Sequence, residues 1–90
     1  MSATDLCWLP AVDVLALVRR REVSPVELVE VAIARAEALE PRLNAFVTRT
    51  FEQACERAKA LETELARGGP VRPLHGLPVT LKDLLFTKGI

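Results

Sequence analysis

The sequence lacks most of the residue types on which a self-contained site depends. Its 90 residues include no tyrosine, one tryptophan, one histidine and two cysteines. A structural zinc site requires about four ligands, and Cys7, Cys55 and His75 are too few and too widely spaced to supply them. Two distant cysteines also do not make the disulfide framework of a small secreted domain. We therefore expect reduced thiols, a cytoplasmic location and no bound metal.

An excess of charge of one sign is lacking as well. Twelve Lys and Arg residues balance twelve Asp and Glu residues, so the formal net charge is zero. Nucleic-acid-binding modules normally carry a basic excess or stacking aromatics, so we expect no nucleic-acid partner. No apolar run approaches the roughly 20 residues that span a bilayer, so we expect no membrane partner either. The arginines at 19–21, which have acidic neighbours, are typical of a solvated helix end.

Apolar residues recur at helical spacing in three stretches. The first begins at Pro10, after residues 1–9, which we expect to be an irregular lead-in with Cys7, Trp8 and Leu9 as an apolar hook. The second begins at SPVE, residues 24–27, where the Ser24 hydroxyl caps the helix, and should stop at Pro41. The third covers residues 51–67 and should end at GGP, residues 68–70.

Two short segments favour β-strands, namely residues 45–48 (AFVT) and 77–81 (LPVTL). With the third helix between them they have the order of a βαβ unit, which predicts parallel strands and a right-handed crossover. A parallel sheet needs cover on both faces, and so short a chain buries only about 60% of its unfolded surface. We predict a mostly helical α/β fragment with about three helices and two short strands.

Few residues are candidates for catalysis. The only serines are Ser2, near the terminus, and Ser24, which is explained as a helix cap; neither lies on a glycine-rich elbow. Cys55 falls on the apolar face of a helix, which favours a structural role. His75 lies in a Pro/Gly loop, where a hydrogen-bonding role is expected. A self-contained serine hydrolase is therefore excluded.

One segment is more specific. PLHGLPVTLKD, residues 73–83, resembles the amidase signature family, in which an LHG(I/V/L)PVx(V/L)KD segment carries the catalytic lysine. Upstream, SPVELV at 24–29 and ARAE at 34–37 look like the N-terminal helix of that family. LNAFV at 43–47 is similar to the strand that follows this helix. The resemblance covers nearly all of residues 10–90, in the family's order.

The resemblance implies an amidase-signature α/β/α fold and hydrolysis of small-molecule carboxamides by a Ser–cis-Ser–Lys triad, without metal or organic cofactor. Only Lys82 matches a catalytic position of the family, and Asp83 is assigned a structural role. Because the two serines of the triad belong to a later region, we expect residues 1–90 to be the incomplete N-terminal part of one amidase domain.

A lysine acts as a base near neutral pH only when burial lowers its pKa by about 3 units, which corresponds to roughly 4 kcal/mol. We therefore expect Lys82 to be exposed and the chain alone to be inactive.

The apolar helix faces also allow a different interpretation. A chain of this size has more apolar surface than its own core can cover. The alternative is therefore a non-catalytic helical module that self-associates into a homo-oligomer, or a truncated relic of an amidase. The dependence of particle size on concentration separates these hypotheses from a monomeric amidase segment.

Overall fold

The computed structural model describes residues 3–69, 71–82 and 88. Within these residues the chain forms four helices: α1 (Ala3–Trp8), α2 (Ala11–Arg19), α3 (Pro25–Leu43) and α4 (Phe51–Ala66). The expectation of a mostly helical fragment is confirmed. No helix in the described part of the chain has both the length and the apolar character needed to cross a bilayer.

Helix α3 begins where the sequence predicts. The backbone N–H of Glu27 donates to the Ser24 hydroxyl oxygen at 3.0 Å, and Pro25 occupies the first turn. A proline there sacrifices nothing, because the first N–H groups of a helix have no intrahelical acceptor. The predicted N-terminal cap is confirmed.

The end of α3 differs from the prediction, because the helix continues through Pro41 to Leu43. A proline this close to the C-terminus disturbs only the last turn, so it does not stop the helix. The helix ends instead at Asn44, whose φ of 48° is left-handed and whose N–H donates to the Glu40 carbonyl at 2.7 Å. Asparagine is among the few non-glycine residues that adopt this conformation readily.

The Glu40 side chain organises the connection from α3 to α4. It is 8% exposed. Its carboxylate accepts hydrogen bonds from the backbone N–H groups of Ala45 and Phe46, the latter at 3.0 Å from Oε2. Arg49 Nη2 lies 3.3 Å from the same Oε2. Three donors thus compensate the burial of one carboxylate. The Phe46 and Phe51 rings pack edge to face next to this cluster, with their centroids 5.8 Å apart.

The predicted irregular lead-in is wrong, since residues 3–8 form α1. Leu6 explains the difference, because it is buried and joins Val14 and Val18 in the core. Leu9 packs against the same core, whereas Trp8 is 75% exposed and does not act as part of a hook. A tertiary contact, which helical spacing does not reveal, therefore orders this segment.

The arginines at 19–21, at the end of α2, are exposed as expected, but Arg21 has a specific partner. Its Nη2 donates to the Leu65 carbonyl at 2.9 Å. The backbone of Arg21 is left-handed, with φ of 60°. The Leu65 carbonyl, in the last turn of α4, also accepts from the Gly68 N–H at 3.1 Å, so Arg21 adds a second donor at this end of the helix. The triplet thus lies at an exposed helix end, as predicted, and Arg21 in addition links this end to α4.

Residues 45–48 and 77–81, which the sequence predicts as strands, do not form β-strands in the described part of the chain. The N–H groups of Ala45 and Phe46 bind the Glu40 carboxylate instead of a neighbouring strand. Two short strands with no further neighbours are also too few to be stable as a sheet in water. The strand prediction thus depends on pairing partners that residues 3–69 and 71–82 do not supply.

The Glu40 cluster yields a first prediction. Glu40→Gln replaces one charged acceptor oxygen by an amide that donates, so the N–H groups and Arg49 lose part of their partner. We expect the free energy of unfolding to fall by about 1–3 kcal/mol, measured by urea denaturation. Glu37→Gln, an exposed position on the same helix, is the control and should change it by less than about 0.5 kcal/mol. Equal effects of the two substitutions would contradict the assigned role of Glu40.

Candidate functional site

Lys82 lies on the wall of an apolar groove between α3 and α4. The groove has a volume of about 830 Å³. Its floor includes Ile33 and Ala36 of α3 and Ala54 of α4, and its walls include residues 45–48 and 78–82. We call it the α3–α4 groove. Both segments that the sequence predicts as strands therefore meet at one place, although they do not pair.

The α3–α4 groove is lined mainly by apolar side chains, whereas Lys82 carries a charged amine. Among the described residues that line it, Lys82 is the one with a charged side chain, and the remainder are apolar or threonine. Val47 and Val79 on its walls are 79% and 72% exposed. Lys82 itself is exposed, as the sequence analysis expects. The amine thus lies beside apolar surface but is still in contact with solvent.

Residues 72–77, which we call the anchor loop, precede the segment that carries Lys82. His75 is 3% exposed, and its Nε2 lies 3.0 Å from the Leu61 carbonyl of α4. Within the loop, the N–H of His75 donates to the Arg72 carbonyl and that of Leu77 to the Leu74 carbonyl, both at 3.1 Å. The prediction that His75 is a hydrogen-bonding loop residue is confirmed.

Gly76 brings the anchor loop against the start of α3. Its φ is +85°, and a Cβ added there would lie 2.9 Å from Pro25 Cγ. Glycine is therefore required both by the backbone conformation and by the close approach. The next residue, Leu77, packs against the buried core. Three consecutive residues thus contact α4, α3 and the core.

The other candidate residues do not converge on Lys82. Cys7 is exposed, Cys55 is half-buried, and both are free thiols. Ser24 is occupied as the cap of α3. No cluster of three or more histidine, cysteine or acidic side chains that could hold a metal occurs among the described residues. Ser2 and Asp83 lie outside the described residues.

These features agree with the comparisons to known proteins. Residues 27–90 match the family described as Amidase, so the chain belongs to the amidase family. The family resemblance carried by residues 73–83 is thereby confirmed.

The chain is similar to much longer proteins. It is 42% identical over 86 residues to one subunit of the glutamyl-tRNA(Gln) amidotransferase of Moorella thermoacetica, an alignment that covers 96% of this chain and 18% of that protein. The same subunit of the Methylococcus capsulatus amidotransferase is 44% identical over 78 residues, covering 87% of this chain and 16% of that protein. The chain therefore spans less than one fifth of the length of these curated relatives.

A solved structure shares the fold of this region. It is the crystal structure of a bacterial aryl acylamidase that belongs to the amidase signature enzymes. The match has a TM-score of 0.75 at 39% identity and covers 79% of this chain and 14% of that one. The arrangement described above is thus that of an amidase-signature enzyme over the matched part.

Two glycines with left-handed backbones provide a test of the close approach at Gly76. Gly76→Ala and Gly68→Ala both place an alanine at positive φ, which costs about 1–2 kcal/mol. Only Gly76 has neighbours within reach of a new Cβ, since none lies within 4 Å of that position at Gly68. We expect Gly76→Ala to lower the free energy of unfolding by about 1–3 kcal/mol more than Gly68→Ala. Equal losses in urea denaturation would show that the Pro25 contact is not tight.

Proposed function

We propose that this chain contributes the catalytic lysine, Lys82, to an enzyme that hydrolyses carboxamides through a Ser–cis-Ser–Lys triad. The observation that supports it is the position of Lys82, the one charged group among the described residues lining the α3–α4 groove. Family membership adds support, and the relatives named above are an aryl acylamidase and part of an amidotransferase. Both names denote chemistry at an amide.

In the proposed reaction the neutral amine of Lys82 accepts a proton from a bridging serine. That serine takes the proton of a second serine, whose oxygen attacks the carbonyl carbon of the amide. Backbone N–H groups stabilise the developing oxyanion, and the amine product leaves with a proton. Water then hydrolyses the acyl-enzyme and restores the serine. Because Ser24 caps α3 and Ser2 is the only other serine, both serines of the triad would come from outside residues 1–90.

The exposure of Lys82 adds a requirement to this proposal. Burial disfavours a charged amine, so a lysine that is to act as a base has to be enclosed. The apolar walls of the α3–α4 groove would provide part of such an enclosure once additional polypeptide covers them. We therefore propose that the 90 residues by themselves are inactive.

Two further parts of the proposal follow from the family resemblance: the substrate is a small-molecule amide, and the reaction needs no metal or organic cofactor. The cytoplasmic location is proposed from the expectation of reduced thiols. Asp83 has a structural role beside the lysine. Nucleic acid and membranes are not proposed as partners, in keeping with the zero net charge.

The first experiment is to read the nucleotide sequence after codon 90. A frame that continues into a Gly/Ser-rich stretch with two serines would supply the partners of Lys82. The encoded polypeptide is then assayed with an aryl anilide. We expect Lys82→Ala to lower kcat by about 100-fold or more, since general acid–base groups contribute about 10²–10⁴-fold.

Lys59→Ala is the matched control, because Lys59 is an exposed lysine on α4 that does not line the α3–α4 groove. Its kcat should equal that of the unmodified protein. An active Lys82→Ala variant would overturn the catalytic proposal. A stop at codon 91, with no second polypeptide that supplies the serines, would do the same.

A second candidate function, self-association, is favoured by exposed apolar side chains. Trp8, Val12 and Leu43 are 75%, 73% and 64% exposed. If these surfaces pair between copies, the sedimentation coefficient of the 90-residue chain should rise with concentration, and Val12→Glu should abolish the rise. A monomer at all concentrations would eliminate this alternative.

A further inference from the structure

The segment that carries Lys82 is attached to the rest of the protein at its N-terminal side. His75 contacts α4, Gly76 contacts Pro25 of α3, and Leu77 packs on the core. Beyond Leu77, residues 78–82 are exposed. No backbone hydrogen bond joins residues 78–82 to another described residue. The described attachments of this segment to the rest of the protein are therefore those of the anchor loop, which ends at Leu77.

Pro78 transmits this constraint. A proline has a fixed φ near −65° and restricts the residue before it, here Leu77, to extended conformations. The two residues after Gly76 thus have little freedom. A shift of the anchor loop would consequently displace Pro78 and with it the start of the segment that leads to Lys82.

The His75 ring is held through one nitrogen. Since the Leu61 carbonyl can only accept, Nε2 carries a proton. Nδ1 is buried and has no hydrogen-bond partner in the described residues. The contact that matters is therefore the Nε2–H donor, and glutamine, whose amide nitrogen reaches a similar place, is able to replace it.

We propose that His75 and Gly76 are positioning residues that set the place of the Lys82 amine, an inference that rests on the proposed amide hydrolysis. The catalytic lysine must reach a serine at hydrogen-bond distance, and a misplacement of about 1 Å can reduce the rate about 100-fold. The Nε2–Leu61 bond and the Gly76–Pro25 contact define that place. Neither residue touches the substrate.

The experiment uses the polypeptide encoded by the reading frame that contains residues 1–90, with an aryl anilide as substrate. His75→Phe keeps a ring and removes the donor, whereas His75→Gln keeps the donor. We expect His75→Phe to lower kcat by about 10- to 100-fold with KM changed by less than about threefold. His75→Gln should retain kcat within about threefold. Thermal denaturation of each variant is measured alongside.

Arg72→Ala is the control within the same loop. Arg72 Nη2 pairs with Glu64 Oε2 at 3.1 Å, but both side chains are about half exposed. Loss of this ion pair should leave kcat unchanged, because exposed ion pairs contribute little to stability. A fall in kcat for Arg72→Ala as large as that for His75→Phe would overturn the proposal, since any disturbance of the loop would then suffice.

The outcomes separate this inference from the function on which it rests. If Lys82→Ala is inactive while His75→Phe keeps its kcat, or loses only thermal stability, the positioning role is wrong and the function stands. If Lys82→Ala remains active, both are wrong. Should His75→Phe fail to fold, Gly76→Ala is compared with Gly68→Ala. A kcat loss confined to Gly76→Ala supports the proposal, and equal kcat values overturn it.

Discussion

One buried carboxylate sets the relation between the two long helices. Glu40 lies in the last turns of α3, yet its oxygens bind the N–H groups of Ala45 and Phe46 and the guanidinium of Arg49, just before α4 begins. An unpaired carboxylate at this depth would be strongly unfavourable, so the loop has to present its donors to Glu40. The turn is thus determined by the need to satisfy a charge, and α4 returns along α3 as a consequence.

The position of Lys82 depends on that helix pair. His75 of the anchor loop donates a hydrogen bond to the Leu61 carbonyl of α4, and Gly76 makes a close contact with Pro25, the first residue of α3. Because the two contacts belong to different helices, the loop is correctly placed only when α3 and α4 are paired as Glu40 directs. A group proposed to move protons therefore depends on a carboxylate at the far end of α3.

Short sequence patterns correctly predicted the features that depend on residues close together in the chain. The Ser24 cap, the extents of α2 and α4 and the hydrogen-bonding role of His75 follow from short patterns, and PLHGLPVTLKD identified the family. The missed features depend on distant contacts: α1 requires the burial of Leu6, Arg21 finds its acceptor on α4, and Glu40 carries no sequence pattern that marks it as buried. The prediction that α3 stops at Pro41 was wrong, because a proline within the last turns of a helix disturbs the helix only locally.

The unpaired segments explain why family and fold were easier to predict than catalysis. Residues 45–48 and 78–82 have the composition of strands and meet at one groove, but Val47 and Val79 remain largely exposed. Covering these apolar walls would remove water from the groove and stabilise the fold. The same cover would remove water from around Lys82 and so favour its uncharged form. In the proposed enzyme, completing the sheet and activating the base are therefore one physical event, and neither is encoded within these residues alone.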